Sequence, residues 1–149
     1  MVRKFKKEDI DAVMKLWLAA NTQVHDFVPK SYWEGNYDMV KQMLPKAEVY
    51  VYEDNGKEDK KILGFIGLRE DYVAGVFIED KERSKGIGKQ LLDYVKQKNE
   101  KLTLHVYGKN ERAVRFYQRE GFIMKTEQVD EETGEKEFVM IWESGKNFI

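Results

Sequence analysis

The sequence contains no cysteine and only two histidines, and these shortages exclude several kinds of chemistry. Without cysteine the chain can form no disulfide, no thiolate zinc site and no thiol nucleophile. His25 and His105 are too few for an all-histidine metal site. We therefore expect no metal site in this protein.

The sequence also lacks an excess of charge of one sign and any long apolar run. Its 26 basic and 27 acidic residues give a net charge of −1, so electrostatics does not favour nucleic acid as the main partner. No window holds the roughly 18 consecutive apolar residues of a membrane helix. The first residues are too polar for the core of a secretory signal. We expect a cytoplasmic protein with neither a nucleic-acid nor a membrane partner.

The residues that are present suit one packed domain. The chain has 149 residues, of which 42% are hydrophobic and 13% aromatic, enough to build a substantial core. It has no internal repeat, low-complexity tract or linker. We therefore expect a single domain over residues 1–149.

Hydrophobic periodicity predicts helices that cover a sheet. Helices are predicted at residues 8–21 and 86–99, between an Asn110 N-cap and Gly121, and once or twice within 27–45, between Pro29 and Pro45. Strands are predicted at residues 2–4, 48–52, 61–68, 72–78, 102–106, 122–129 and 138–142, with turns at Asn55-Gly56 and Thr133-Gly134. This order is typical of an α+β (mixed α/β) fold.

The predicted strand at residues 72–78 is an almost continuous apolar run. This pattern in residues 72–78 predicts burial on both faces of the strand. Gly75 within the run predicts a bulge or a close approach of another group to the backbone.

A glycine-containing turn links that strand to an amphipathic helix. A helix N-terminus exposes unpaired N–H groups and a partial positive charge, so it can hold a phosphate. Gly86 and Gly88 let the backbone approach such a group. Three basic side chains add local positive charge: Arg83, Lys85 and Lys89. A plain strand-to-helix turn with solvated lysines explains the same pattern.

Two nucleotide-binding motifs do not fit this turn. No Gly-Lys-Ser/Thr closes it, so it is not a Walker loop. Leu91 occupies the third glycine position of the dinucleotide fingerprint. The alternative hypothesis of a nucleotide-binding regulatory domain is therefore supported by the glycine turn alone.

Two segments resemble the signatures of the GNAT superfamily of N-acetyltransferases. Residues 83–88 read Arg-Ser-Lys-Gly-Ile-Gly and match Arg/Gln-x-x-Gly-x-Gly/Ala. Residues 110–122 match Asn-x-x-Ala-x-x-Phe-Tyr-x-x-x-Gly-Phe, and the predicted elements fit the GNAT order over nearly all of the chain. The sequence is most similar to small bacterial GNAT proteins with an early His-x-Phe segment, here His25-Asp26-Phe27. Several of those are protein or peptide acetyltransferases.

The resemblance implies the GNAT acyl-CoA N-acyltransferase fold, a central and mostly antiparallel sheet with one splayed pair of parallel strands, flanked by helices. The splayed strands would be residues 73–78 and 102–106, and the pantetheine arm of acetyl-CoA (coenzyme A) would bond the amides left unpaired there. An N–H near Val76 or Phe77 would polarise the thioester carbonyl. The implied contacts to the arm come from Val76, Phe77 and Ile78, and those to the pyrophosphate from Arg83, Ser84, Lys85, Gly86, Ile87, Gly88 and Lys89.

The second signature implies roles for three further residues. Asn110 matches a position that touches the cofactor arm, and it could equally cap a helix. Ala113 would keep the helix face small enough for the cofactor. Tyr117 matches a general acid, because a phenol with a pKa of about 10 is protonated at neutral pH and can donate to the leaving thiolate. A tyrosine merely buried in the helix is the alternative.

The acceptor amine is expected to attack the thioester directly, helped by positioning and by a base or a water chain. Candidates for the base lie near strand ends: Glu70, Tyr72, His105 and Tyr107. Four aromatic residues after the first helix either line the acceptor pocket or form core: Phe27, Tyr32, Trp33 and Tyr37. His25 either lines the acceptor site or is a hydrogen-bonding loop residue. Five acidic residues are predicted to form a solvated hairpin tip: Asp130, Glu131, Glu132, Glu135 and Glu137. The alternative is that they attract a basic acceptor.

Taken with the resemblance, the sequence predicts an N-acetyltransferase that moves an acetyl group from acetyl-CoA to a primary amine. The acceptor could be a lysine or N-terminus of a protein or peptide, or a small amine. The alternative is a non-catalytic module that senses acyl-CoA and keeps the same cofactor cradle. GNAT proteins include monomers and homodimers, and either is expected here.

Overall fold

The protein is described by a computed structural model over residues 1–54 and 61–145. Its elements, in chain order, are β1 (Val2–Lys4), α1 (Ile10–Val24), α2 (Lys30–Met43), β2 (Glu48–Glu53), β3 (Ile62–Arg69), β4 (Tyr72–Ile78), α3 (Ile87–Lys96), β5 (Lys101–Tyr107), α4 (Glu111–Arg119), β6 (Ile123–Val129) and β7 (Lys136–Glu143). Short 3₁₀ turns occur at Lys7–Asp9, Leu44–Lys46 and Asp80–Glu82. The predicted Asn55-Gly56 turn lies outside the described residues. Within those residues, no helix has the length and apolar character needed to cross a membrane.

All seven strands of the described chain form one sheet in the order β1-β2-β3-β4-β5-β7-β6. Every neighbouring pair is antiparallel except β4 and β5. This parallel pair is short, because it joins only Tyr72 to Thr103 and Val73 to Leu104 before the strands separate. The predicted fold, a mostly antiparallel sheet with one splayed parallel pair, is confirmed.

Helices cover both faces of the sheet. On one face, α3 and α4 pack on a buried cluster that includes Leu91, Leu92 and Leu104. On the other face, α1 and α2 cover a cluster that includes Met14 and Phe65. The sheet is thereby held between two layers of helices.

The predicted helices are confirmed with shifted ends. α1 begins later than predicted, at Ile10, because Asp9 is buried and accepts bonds from the Arg3 side chain and the Lys6 backbone. α3 ends earlier, at Lys96, and Asn99 then donates its side-chain amide to the carbonyl of Val95, which also accepts from the Lys98 backbone. The uncertain segment 27–45 holds one α-helix, α2, which ends in a 3₁₀ turn containing Pro45.

The prediction that β4 is buried on both faces is wrong. Only Val73 is buried, and Ala74 is exposed. The strand loses its β5 neighbour after Val73, so its later residues border open space. The predicted bulge is confirmed by a register shift opposite Gly75, where an added Cβ would lie 2.5 Å from the ring of Phe77.

Candidate active site

A cavity of about 750 Å³ opens where β4 and β5 separate. Twelve of the thirteen residues predicted for the site line it: Val76, Phe77, Ile78, Arg83, Ser84, Gly86, Ile87, Gly88, Lys89, Asn110, Ala113 and Tyr117. Lys85 is the exception, because its ammonium bonds Glu82 at 2.9 Å. The cavity therefore joins the end of β4, the glycine turn and one side of α4.

The glycine turn owes its shape to two residues with left-handed backbone. Ser84 has φ of 66° and Gly86 has φ of 83°, and α3 begins at the next residue, Ile87. Successive N–H groups in such a turn point to one side and form a concave anion site. A Cβ added to Gly86 would have no other atom within 4 Å, so the space in front of the turn is open. This shape fits a phosphate group that approaches the backbone.

Gly88 allows a close approach of the two helices that wall the cavity. A Cβ on Gly88 would lie 3.0 Å from the Phe116 ring of α4. Phe116 also packs against the core cluster on that face. Gly88 thus serves helix packing at least as directly as it serves a ligand.

The basic residues predicted to charge the turn are engaged with carboxylates. Arg83 lies 3.4 Å from Asp80, and Lys89 lies 3.2 Å from Asp93 and 3.5 Å from Glu120. Their charges are partly neutralised within the chain. The backbone N–H groups of the turn, rather than these side chains, are the main anion donors it presents.

Asn110 links the start of α4 to the end of α1. Its Oδ1 accepts from the Ala113 backbone at 3.3 Å, which confirms the predicted N-cap. Its Nδ2 lies 3.3 Å from Nε2 of His25, a contact between residues 85 positions apart that no sequence pattern indicated. Both residues line the cavity.

Tyr117 lines the cavity from the last turn of α4 and is only 8% exposed. Its ring packs against those of Phe116 and Phe122. Burial raises the pKa of its phenol well above the usual value of 10, so the hydroxyl keeps its proton throughout the neutral range. Among the described residues the hydroxyl makes no hydrogen bond within 3.5 Å. It is a protonated donor with no competing partner in that part of the chain.

Most aromatic residues after α1 form core. Trp33 is buried and packs edge-on against Trp17, which also meets Tyr37. His25 lies among Phe27, Trp33 and Tyr107, and burial lowers its pKa to about 4, so the imidazole is neutral at physiological pH. His25 is the member of this cluster that lines the cavity.

The acidic hairpin tip is not simply solvated, which corrects the prediction. Tyr32 at the start of α2 donates to Glu132, and Tyr107 donates to Asp130 at 2.7 Å. Lys109 also pairs with Glu135 at 3.0 Å. The tip is folded against α2 and the end of β5, because two hydroxyls and one ammonium bond its carboxylates.

The candidates for the base lie beside the cavity and not in its lining. Nδ1 of His105 is 3.6 Å from the Glu137 carboxylate, and the ring of Tyr72 packs edge-on against the His105 imidazole. Burial raises the pKa of Tyr72 and, together with the bond to Asp130, that of Tyr107. Both phenols are therefore donors at neutral pH rather than bases.

Comparison with known proteins gives consistent sequence matches. A family model described as an acetyltransferase (GNAT) domain matches residues 18–144. The peptidyl-lysine N-acetyltransferase YiaC of Escherichia coli K12 is 34% identical over 144 residues, which cover 95% of this chain and 96% of YiaC. The peptidyl-lysine N-acetyltransferase YjaB of the same organism is 28% identical over 121 residues, which cover 81% of this chain and 80% of YjaB.

Solved structures agree in fold. The solution structure of apo-form YjaB from Escherichia coli superimposes with a TM-score of 0.83 at 25% identity, over 97% of both chains. The PaiA N-acetyltransferase of Thermoplasma acidophilum, solved in complex with coenzyme A, gives 0.75 at 17% identity over 96% of this chain and 98% of that one. At that identity the second match shows the fold alone.

Proposed function

Since this chain belongs to the GNAT acetyltransferase family and transfers acetyl groups from acetyl-CoA to a primary amine, we propose that its acceptor is a lysine side chain of a protein or peptide. The observation that carries the proposal is the 34% identity to a peptidyl-lysine N-acetyltransferase over almost the full length of both chains. The alternative of a non-catalytic sensor loses its support, because the curated relatives are enzymes.

On the donor side, we assign the diphosphate of acetyl-CoA to the turn at residues 84–89. The left-handed residues Ser84 and Gly86, the start of α3 and the open space before Gly86 support this placement. The pantetheine arm would follow the edge of β4 from Ile78 back to Val76, beyond the point where the pairing with β5 stops. Asn110 and Ala113 would meet the arm from α4.

Tyr117 is assigned as the general acid. Acetyl-CoA supplies an acetyl thioester. The neutral amine would attack its carbonyl carbon, so that a C–N bond forms, the C–S bond breaks, the thiolate of coenzyme A leaves and the nitrogen gives up one proton to water. Tyr117 holds a proton on a buried phenol that lines the same cavity, and it would donate that proton to the thiolate. Backbone N–H groups of β4 near Val76 would stabilise the charge that develops on the carbonyl oxygen.

On the acceptor side, carboxylates and aromatic rings gather next to the cavity. Asp130 and Glu132 of the hairpin tip are bound to Tyr107 and Tyr32, and Glu137 lies beside His105. A lysine side chain has an apolar stem and a cationic end, so rings and carboxylates together suit it. This arrangement supports a lysine acceptor over a small neutral amine.

The experiment compares three acceptors at saturating acetyl-CoA: a lysine peptide blocked at its N-terminus, the same peptide with arginine for lysine and a free N-terminus, and spermidine. Release of coenzyme A can be followed with a thiol reagent, because the protein itself has no cysteine. We expect kcat/KM for the lysine peptide to exceed the others by about tenfold or more, a difference of about 1.4 kcal/mol in transition-state binding. Faster acetylation of the arginine peptide or of spermidine would contradict the lysine assignment.

A further inference from the structure

We propose that Arg112 binds the diphosphate of acetyl-CoA, reaching over the glycine turn from the opposite wall of the cavity. The inference rests on the proposed placement of that diphosphate at residues 84–89. Neither GNAT signature specifies this residue, which is a variable position of the second one.

The first observation is a hydrogen bond between two residues that line the cavity. Arg112 lies in the first turn of α4, and its Nη2 donates to Oγ of Ser84 at 2.9 Å. Ser84 is the left-handed residue at the start of the glycine turn. The guanidinium is therefore held directly beside the turn, although the two residues are 28 positions apart.

The second observation is that its charge is available. Six basic residues line the cavity: Arg83, Lys89, Lys109, Arg112, Arg115 and Arg119. Four of them pair with carboxylates of the chain: Arg83, Lys89, Lys109 and Arg115. Within residues 1–54 and 61–145, no carboxylate lies within 4 Å of Arg112 or Arg119. Of these two, Arg112 is the one bonded to the turn, whereas Arg119 lies at the far end of α4.

The third observation concerns donor geometry. A guanidinium carries five N–H donors in a planar fork, and the Ser84 hydroxyl occupies one of them in Arg112. The remaining donors match the spacing of phosphate oxygens, which arginine binds in pairs. Ser84 acts as a positioning residue, because its hydroxyl fixes where this fork lies.

The test measures steady-state kinetics of Arg112→Gln with three donors: acetyl-CoA, acetyl-3′-dephospho-CoA and acetyl-pantetheine. Loss of an exposed charge-assisted contact should raise KM about tenfold for the two donors that carry a diphosphate. The kcat at saturation should not change, and neither should kcat/KM with acetyl-pantetheine, which has no phosphate. Arg69→Gln, at an exposed position outside the cavity lining, should match the parent with all three donors.

A second pair of variants tests the bond to Ser84. Ser84→Ala keeps a Cβ at the strained position and removes only the hydroxyl, so KM for acetyl-CoA should rise about threefold. The same change made on top of Arg112→Gln should add nothing, because the hydroxyl acts through the arginine. Equal effects in both backgrounds would overturn the positioning role.

The results separate this inference from the function on which it rests. Unchanged KM values in Arg112→Gln would overturn the inference while leaving the proposed function intact. A rise with acetyl-CoA but not with acetyl-3′-dephospho-CoA would place Arg112 on the ribose phosphate and overturn the diphosphate contact. If the parent used acetyl-pantetheine as efficiently as acetyl-CoA, the diphosphate site itself would be refuted.

Discussion

The side chain of Asn110 donates to Nε2 of His25 across 3.3 Å and so joins the residue that precedes α4 to the residue that follows α1. Because Oδ1 of Asn110 is taken by the Ala113 backbone, its Nδ2 must face the imidazole. The imidazole must then accept at Nε2 and carry its proton at Nδ1. One N–H and one lone pair of the Asn110 amide remain for a ligand in the cavity.

Burial of His25 predicts a pH-dependent stability. The pKa of His25 is about 4 in the folded protein because of burial, against 6.5 for an ordinary histidine, so between these values only the unfolded chain binds the proton. The free energy of unfolding should therefore fall as pH drops from 6.5 to 4, by up to about 3 kcal/mol. Urea unfolding at a series of pH values measures it.

The variant His25→Gln supplies the control for that experiment. Glutamine keeps a hydrogen-bond acceptor for Asn110 but does not titrate, so the difference between parent and variant should shrink steadily below pH 6.5. A constant difference from pH 7.5 to pH 4 would show that His25 titrates normally in the folded state.

Removing the hydroxyl of Tyr117 should slow the chemical step. The variant Tyr117→Phe keeps the buried ring packing against Phe116 and Phe122. We expect kcat at saturating acetyl-CoA to fall about 100-fold, the scale of general acid catalysis, with little change in KM for acetyl-CoA. Tyr94→Phe, the same change outside the cavity lining, should leave kcat unaltered. Unaltered turnover in Tyr117→Phe would exclude the acid role.

Charge at the glycine turn should decide cofactor binding. Gly86→Gln and Gly86→Glu introduce side chains of equal size at a left-handed position, so each should lose about 1 kcal/mol of folding stability. Glutamine should weaken acetyl-CoA binding about tenfold, whereas the glutamate carboxylate should repel the diphosphate and remove measurable binding. Calorimetric titration measures both affinities. Equal affinities for the two variants would show that no phosphate lies in front of Gly86.

A buried ion network far from the cavity should control stability without affecting the cofactor. Arg3 bonds Asp9 and Glu53 at 2.9 Å each, and both carboxylates are at least 90% buried. Arg3→Met would leave the two carboxylates without this partner and should cost about 3 kcal/mol of unfolding free energy. Lys7→Met, at an exposed site nearby, should cost less than about 0.5 kcal/mol. A stable Arg3→Met protein would show that the network contributes little.

The local pattern of the sequence determined the order of strands and helices, the glycine turn and the Asn110 cap. Each of these depends on residues a few positions apart, through side-chain periodicity, backbone freedom at glycine or a cap three residues from its partner. The family signatures then indicated a splayed strand pair, and the separation of β4 from β5 after Val73 agrees with it.

Only the tertiary structure decided which charges are free and which groups meet. Arg83, Lys85 and Lys89 read as a basic cluster in the sequence, yet each is paired with a carboxylate, whereas Arg112 has no such partner in the part of the chain that the structure describes. The bonds from Asn110 to His25 and from Arg112 to Ser84 join residues 85 and 28 positions apart. Such contacts follow from how helices pack on the sheet, because packing, rather than chain neighbourhood, sets the distance between distant side chains.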